Sequence, residues 1–133
     1  MTGDNRLANA RIDIATARDE IRLADAAIGI GVRRGAMSRS YYAVFHACRA
    51  LLLLEGVEAK THAGLHRLVA EHLVRPGKVP VATNLLLTKL QAYRNAADYA
   101  FAFDIAEDDA KREVDEARAF VELAATAVAA FTS

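Results

Sequence analysis

Arg39, Tyr42, His46 and Arg49 stand three, four and three residues apart, a spacing that gathers two guanidiniums, a phenol and an imidazole on one stripe of an α-helix. Guanidinium presents fixed, forked donors that match phosphate oxygens, and imidazole accepts a proton near neutral pH. The stripe runs through Ser38-Arg39-Ser40-Tyr41-Tyr42-Ala43-Val44-Phe45-His46-Ala47-Cys48-Arg49-Ala50-Leu51-Leu52-Leu53-Leu54, which is otherwise apolar. Polar groups on such a helix need partners or a ligand. A second chemically equipped segment is Tyr93-Arg94-Asn95-Ala96-Ala97-Asp98-Tyr99, where Arg94 and Asp98 lie one turn apart. They form either an intrahelical ion pair, worth about 0.3–0.5 kcal/mol, or part of a site.

The other candidates carry weaker signals. His62 and His66 have a spacing that can chelate a metal, but Ala63 stands where a zinc protease helix carries its glutamate, and no acidic ligand follows at a helpful spacing. No metal site is assigned; His62 beside a helix start, and His66 and His72 on its surface, read as structural or solvated. Val32-Arg33-Arg34-Gly35, with Arg39 beyond, is the densest positive cluster and is either an RNA-phosphate contact or a solvated loop. Gly29-Ile30-Gly31 lacks the preceding strand and following lysine of a phosphate-cradling loop. Cys48, the chain's one cysteine, reads as buried and inert.

These residues have to be positioned by helices. Leu7, Ala10, Ile14, Ala17, Ile21, Ala24 and Ile28 alternate spacings of three and four, as do Ala110, Val114, Ala117, Val121, Ala124, Val128 and Phe131, which predicts long first and last helices. Ser38 or Arg39 opens a second helix that Gly56 closes; Thr61 caps a short third one ended by Arg75-Pro76-Gly77. Pro80 suits the first turn of a fourth helix, with Leu86, Leu90, Tyr93 and Ala97 on its inner face. Asp104 and Glu107 resemble a capping box, and Asp108 and Asp109 suit the positive end of the last helix. The fold class is therefore all-α: an antiparallel four-helix bundle with one additional short helix, formed by residues 1–133 as a single domain.

Composition agrees with an ordered, soluble protein. Of 133 residues 53% are hydrophobic and 26% charged, with two prolines and seven glycines. Basic and acidic residues balance at 17 each, so any polyanion site must be local. The first residues lack the apolar core of a signal peptide, and no apolar run approaches the ~20 residues of a membrane span. A cytoplasmic location, no membrane association and no cofactor are expected.

The order Ser-Arg-Ser-Tyr-Tyr-Ala-Val-Phe-His-Ala at 38–47, Thr61-His62 at a helix start and Arg94 to Tyr99 resembles the HEPN family over nearly the whole chain. The resemblance implies a bundle of about five helices, commonly a homodimer, often encoded beside a minimal nucleotidyltransferase; many members are metal-independent endoribonuclease toxins. Their motif is an arginine, often followed by a polar residue, with a histidine four to six positions on. Arg94 and Asn95 match the first half, whereas Tyr99, Ala100 and Phe101, with Asp98 one step earlier, occupy the places for that histidine.

Cleavage through a 2′-hydroxyl needs a proton acceptor near neutral pH and a cation on the phosphate. Arg94 supplies the cation; Asp98, His46 or His62 are the remaining candidates for the acceptor. Arg39 and Arg94 are suited to grip a nucleotide or RNA phosphate, Asn95 adjoins it, and Tyr42 and Tyr99 either stack on a base or fill a helix seam. In related toxin pairs a tyrosine receives a nucleotide, and Tyr99 is the corresponding candidate. Three readings follow: a nucleotide- or RNA-binding module working with a nucleotidyltransferase; an endoribonuclease toxin with a substitute base; or a structural dimer in which Arg39, His46, Arg94 and Asp98 satisfy one another.

Overall fold

Alanine and leucine favour helix, and the three-four spacing of the apolar residues gives each helix one face to bury. The structure, a computed structural model, describes residues 3–99 and 103–131. Its helices are α1 (Gly3–Gly29), α2 (Arg33–Leu54), α3 (His62–Val69), α4 (Thr83–Tyr99) and α5 (Glu107–Ala130). A π-helical turn at Ala70–Val74, closed by Arg75 N–H donating to the Ala70 carbonyl, extends α3. The described residues contain no strand, and the helices pack as a bundle.

Helix α2 is central, packing against each of the other four helices. It buries Ala43, Val44, Ala47, Ala50 and Leu51 against neighbours, and Cys48 lies within the same core, its thiol pushed up by burial. The two terminal helices supply Ala10, Ala17 and Ala24, and Ala110, Ala117 and Ala124, all fully buried at seven-residue intervals. Isoleucine and valine fill the positions between them, so small and larger residues alternate along both seams. A second small cluster, around Met37, Ile105 and Val114, closes the end of the bundle near the α1–α2 turn.

Several helix ends differ from the sequence expectation. Helix α2 begins at Arg33, earlier than Ser38 or Arg39, because Gly31 completes the reversal alone: at φ 78° it lets Val32 N–H reach the Ala27 carbonyl (2.8 Å) and Gly31 N–H the Ile28 carbonyl (3.1 Å). Gly56 closes α2 in the same way, with φ 75°. Thr61 caps α3, its hydroxyl accepting from Gly64 N–H at 2.9 Å.

Pro80 lies ahead of α4, which starts at Thr83, whose N–H and hydroxyl both bond the Pro80 carbonyl. The Asp104 capping box does not form: Ala106 is the N-cap of α5 and no side chain caps it, although Glu107, Asp108 and Asp109 do occupy the positive first turn. No helix among the described residues is long and apolar enough to cross a membrane.

Candidate functional site

The polar stripe of α2 divides between two neighbours. Tyr42 faces α4 and accepts a hydrogen bond from Arg94 Nη2 at 2.9 Å. Arg39 turns to α1, where Glu20 holds its guanidinium at 3.2 Å, so Arg39 and Arg94 are directed to different neighbours and do not form one site. His46 also faces α1: its Nδ1 lies 3.0 Å from Asp13 Oδ1, and Arg49 Nε lies 3.8 Å from the other oxygen of the same carboxylate. Asp13 is 7% exposed and sits beside Ile14 on the buried face of α1. Sequence reasoning missed it, although an acid placed next to the apolar repeat was a visible signal.

Arg94 is the best-held cation of the cluster, with 19% of its side chain exposed. The guanidinium carbon lies 5.3 Å from the Tyr42 ring centroid and 5.8 Å from that of Tyr41, within cation–π range. Asp98 Oδ2 is 3.2 Å from Arg94 Nε, an ion pair whose N–H is not aligned as a hydrogen bond. Asp98 is braced from α2 by the Ser38 hydroxyl, which donates to Oδ1 at 2.9 Å. Asn95 Oδ1 is a long 3.4 Å from Arg94 Nη1. Arginine has five N–H donors, so this network leaves donors on both terminal nitrogens for an anion.

Helix α3 adds His62. Thr61 starts the helix directly before it, and the imidazole Nδ1 meets the Tyr41 hydroxyl at 2.9 Å. The ring packs on Phe45 (centroids 4.4 Å apart) and on Tyr41 (5.8 Å). Burial, then the positive charges of Arg94 and His46, lower its pKa from the ordinary histidine value. Burial likewise pushes the Tyr41 phenol up to about 12. His46 touches the same Phe45 ring, edge to face at 5.5 Å. Arg94, Tyr42, Tyr41 and His62 therefore form a cluster between α2, α3 and α4, and the Phe45 ring separates it from the His46–Asp13 pair on the α1 side.

Other expectations fall elsewhere. Tyr99, the last residue of α4, is 78% exposed and is not among the side chains that hold the Arg94 guanidinium, which are Tyr42, Asn95 and Asp98, while Ala100 and Phe101 lie outside the described residues. The basic pair after Gly31 holds backbone: Arg33 donates to the Ile105 carbonyl at 2.9 Å and Arg34 to the Ala97 carbonyl at the end of α4. Arg34 also lies over the Phe103 ring. His66 packs near Tyr41, and no three metal-ligating side chains cluster among the described residues.

An all-α bundle with an arginine–tyrosine–histidine cluster on its central helix is the class that fold and site define. The sequence model of the HEPN domain matches residues 10–127, and the chain belongs to that family. It is 34% identical over 89 residues to a protein of Methanocaldococcus jannaschii named "Putative toxin", a match covering 67% of this chain and 66% of that relative. A UPF0332 protein of Gloeobacter violaceus is 32% identical over 89 residues, covering 66% and 71% of the two chains. A UPF0332 protein of Archaeoglobus fulgidus is 31% identical over 99 residues, covering 74% and 78%. The chain thus spans just under two thirds of the first of these relatives.

Proposed function

We propose that this protein is the nucleotide- or RNA-binding component of a toxin–antitoxin-like or defence-type two-component system, acting as a homodimer with a nucleotidyltransferase partner. Membership of the HEPN family and the name of the Methanocaldococcus jannaschii relative support the toxin-like setting. The observation that carries the binding reading is Arg94. Its guanidinium is fixed by Tyr42, lies over two tyrosine rings and keeps unspent donors at a partly open position. A fixed fork loses little freedom on meeting a phosphate, and of the two rings beside it Tyr42 is partly exposed.

The test is fluorescence anisotropy of a labelled single-stranded RNA on the purified chain. Arg94→Ala should weaken binding roughly tenfold to a hundredfold, the worth of a charge-assisted hydrogen bond, while helix content and melting temperature hold. Arg94→Lys should recover only part of the loss, because an ammonium lacks the fork. Equal affinity of wild type and Arg94→Ala would sink the reading. Light scattering reports the homodimer, and co-purification with a coexpressed nucleotidyltransferase reports the partner.

A further inference from the structure

Helix α1, the end of α2 and the segment after Gly56 enclose a cavity of about 220 Å³, lined by Ile12, Asp13, Arg49, Leu53, Glu58 and Ala59. It is smaller than the roughly 300 Å³ from which drug-sized ligands are held, and has room for one ring system. Asp13 is its most buried acid, with 10% of the side chain exposed. Asp13 Oδ1 is spent on His46 Nδ1 at 3.0 Å, whereas Oδ2 faces Arg49 Nε at 3.8 Å, beyond hydrogen-bond length. A carboxylate oxygen in so dry a place calls for a donor. Arg49 reaches Asp13 through Nε, which leaves its two terminal nitrogens as donors, and Glu58 adds a second, exposed carboxylate. Ile12, 63% exposed, is an apolar wall without a core to fill.

Two acceptor groups, one forked donor and apolar walls select among the nucleobases. On its Watson–Crick edge guanine carries two neighbouring donors, N1–H and the 2-amino group, beside one acceptor, O6. Adenine, cytosine and uracil each offer a single donor group there, so one carboxylate would be left facing a lone pair or nothing. We propose that this cavity takes a guanine base: Asp13 and Glu58 accept from N1–H and the 2-amino group, Arg49 donates to O6, and Ile12, Leu53 and Ala59 pack on the ring. The inference rests on the nucleotide- or RNA-binding reading and adds the base that is chosen. Arg49, at the cavity, and Tyr42, at Arg94, are seven residues apart on α2, about 10 Å along its axis. A phosphate on Arg94 and a base on the far side of Phe45 can therefore belong to neighbouring nucleotides of one strand.

The experiment compares two labelled single-stranded RNAs on the purified full chain by anisotropy, one of uridine alone and one with a single central guanosine. The guanosine RNA should bind about tenfold more tightly or better, the worth of one well-made base contact. Replacing that guanine by hypoxanthine, which lacks the 2-amino group, should remove most of the gain, and this comparison needs no variant to fold. Asp13→Asn and the exposed Glu58→Gln should each bring the ratio of the two affinities toward one; the ratio is the readout because losing an acid favours both RNAs alike. Arg94→Ala should weaken both RNAs and keep the ratio. Guanosine monophosphate, followed by nitrogen-15 amide spectra, separates a free nucleotide from a base in a strand: in either case the Ile12 and Ala59 amides should shift.

Equal affinity of the two RNAs, a preference that survives hypoxanthine, or a ratio unchanged in both acid variants would overturn the guanine assignment while leaving the Arg94 reading standing. Binding of neither RNA would overturn the RNA reading. The cavity would then survive only as a free-nucleotide site, shown by guanosine monophosphate shifting those amides, and without those shifts it too would fall.

Discussion

At the scale of single residues, His62 and His66 link this cluster to pH. Both rings pack around Tyr41, and burial is the first cause that lowers their pKa below the ordinary 6.5. His66 Nε2 is buried without a hydrogen bond among the described residues. The unfolded chain therefore takes up these protons at a higher pH than the folded one. Their contribution to stability is complete above the ordinary histidine range and is lost as pH falls through the lowered values. The carboxylates Asp25 and Glu122, held down by Arg118 and Arg18, lose their contribution only at lower pH, in the carboxylate range. Thermal melts at pH ~7.5 and ~5.5 should thus isolate the histidines: the wild type melts lower at the acid value, and His66→Leu narrows the gap. An unchanged gap in that variant would show that His66 carries none of it. The stripe of Arg39, Tyr42, His46 and Arg49 was legible from spacing alone, but its partners were not. Asp13 and Glu20 meet it only after α1 folds back along α2, a contact that no local pattern encodes.

At the scale of elements, the placement of His62 depends on where α3 begins. Thr61 has extended backbone and gives its hydroxyl oxygen to Gly64 N–H, satisfying a donor that the first turn would otherwise leave open. Thr61→Ala should cost about 1 kcal/mol in denaturant unfolding, and Thr61→Ser should cost little. A cost for serine as large as for alanine would assign the effect to the lost methyl contact instead. Such caps were readable because a side chain and its target lie three residues apart. The start of α5 was misread for the complementary reason. Arg33 and Arg34 from the far side of the chain secure the Ile105 and Ala97 carbonyls around the α4–α5 connection, so the entry to α5 is set by tertiary contacts rather than by the Asp104–Glu107 pattern.

At the scale of the whole molecule, the buried alanines of α1 and α5 decide how near the outer helices come to α2, and so whether Asp13 reaches His46. Ala17 and Ala117 are fully buried, and their helices pack on α2 and on each other. Small residues at every seventh position let backbones approach, and the intervening isoleucines and valines supply most of the buried apolar surface. A larger side chain at one of these alanines has no space to enter without pushing helices apart, since packed cores resist added volume. Ala117→Leu should therefore destabilise the fold by about 1–3 kcal/mol, read as a lower denaturant midpoint. The matched control is Ala119→Leu, which changes the same helix at an exposed residue lining the groove of about 330 Å³ between α4 and α5. That variant gains an apolar side chain without displacing any core group, and its midpoint should stay near the wild-type value. If the two variants unfolded alike, the seven-residue alanine spacing would be a matter of helix propensity, and the close approach that brings Asp13 to His46 would need another cause.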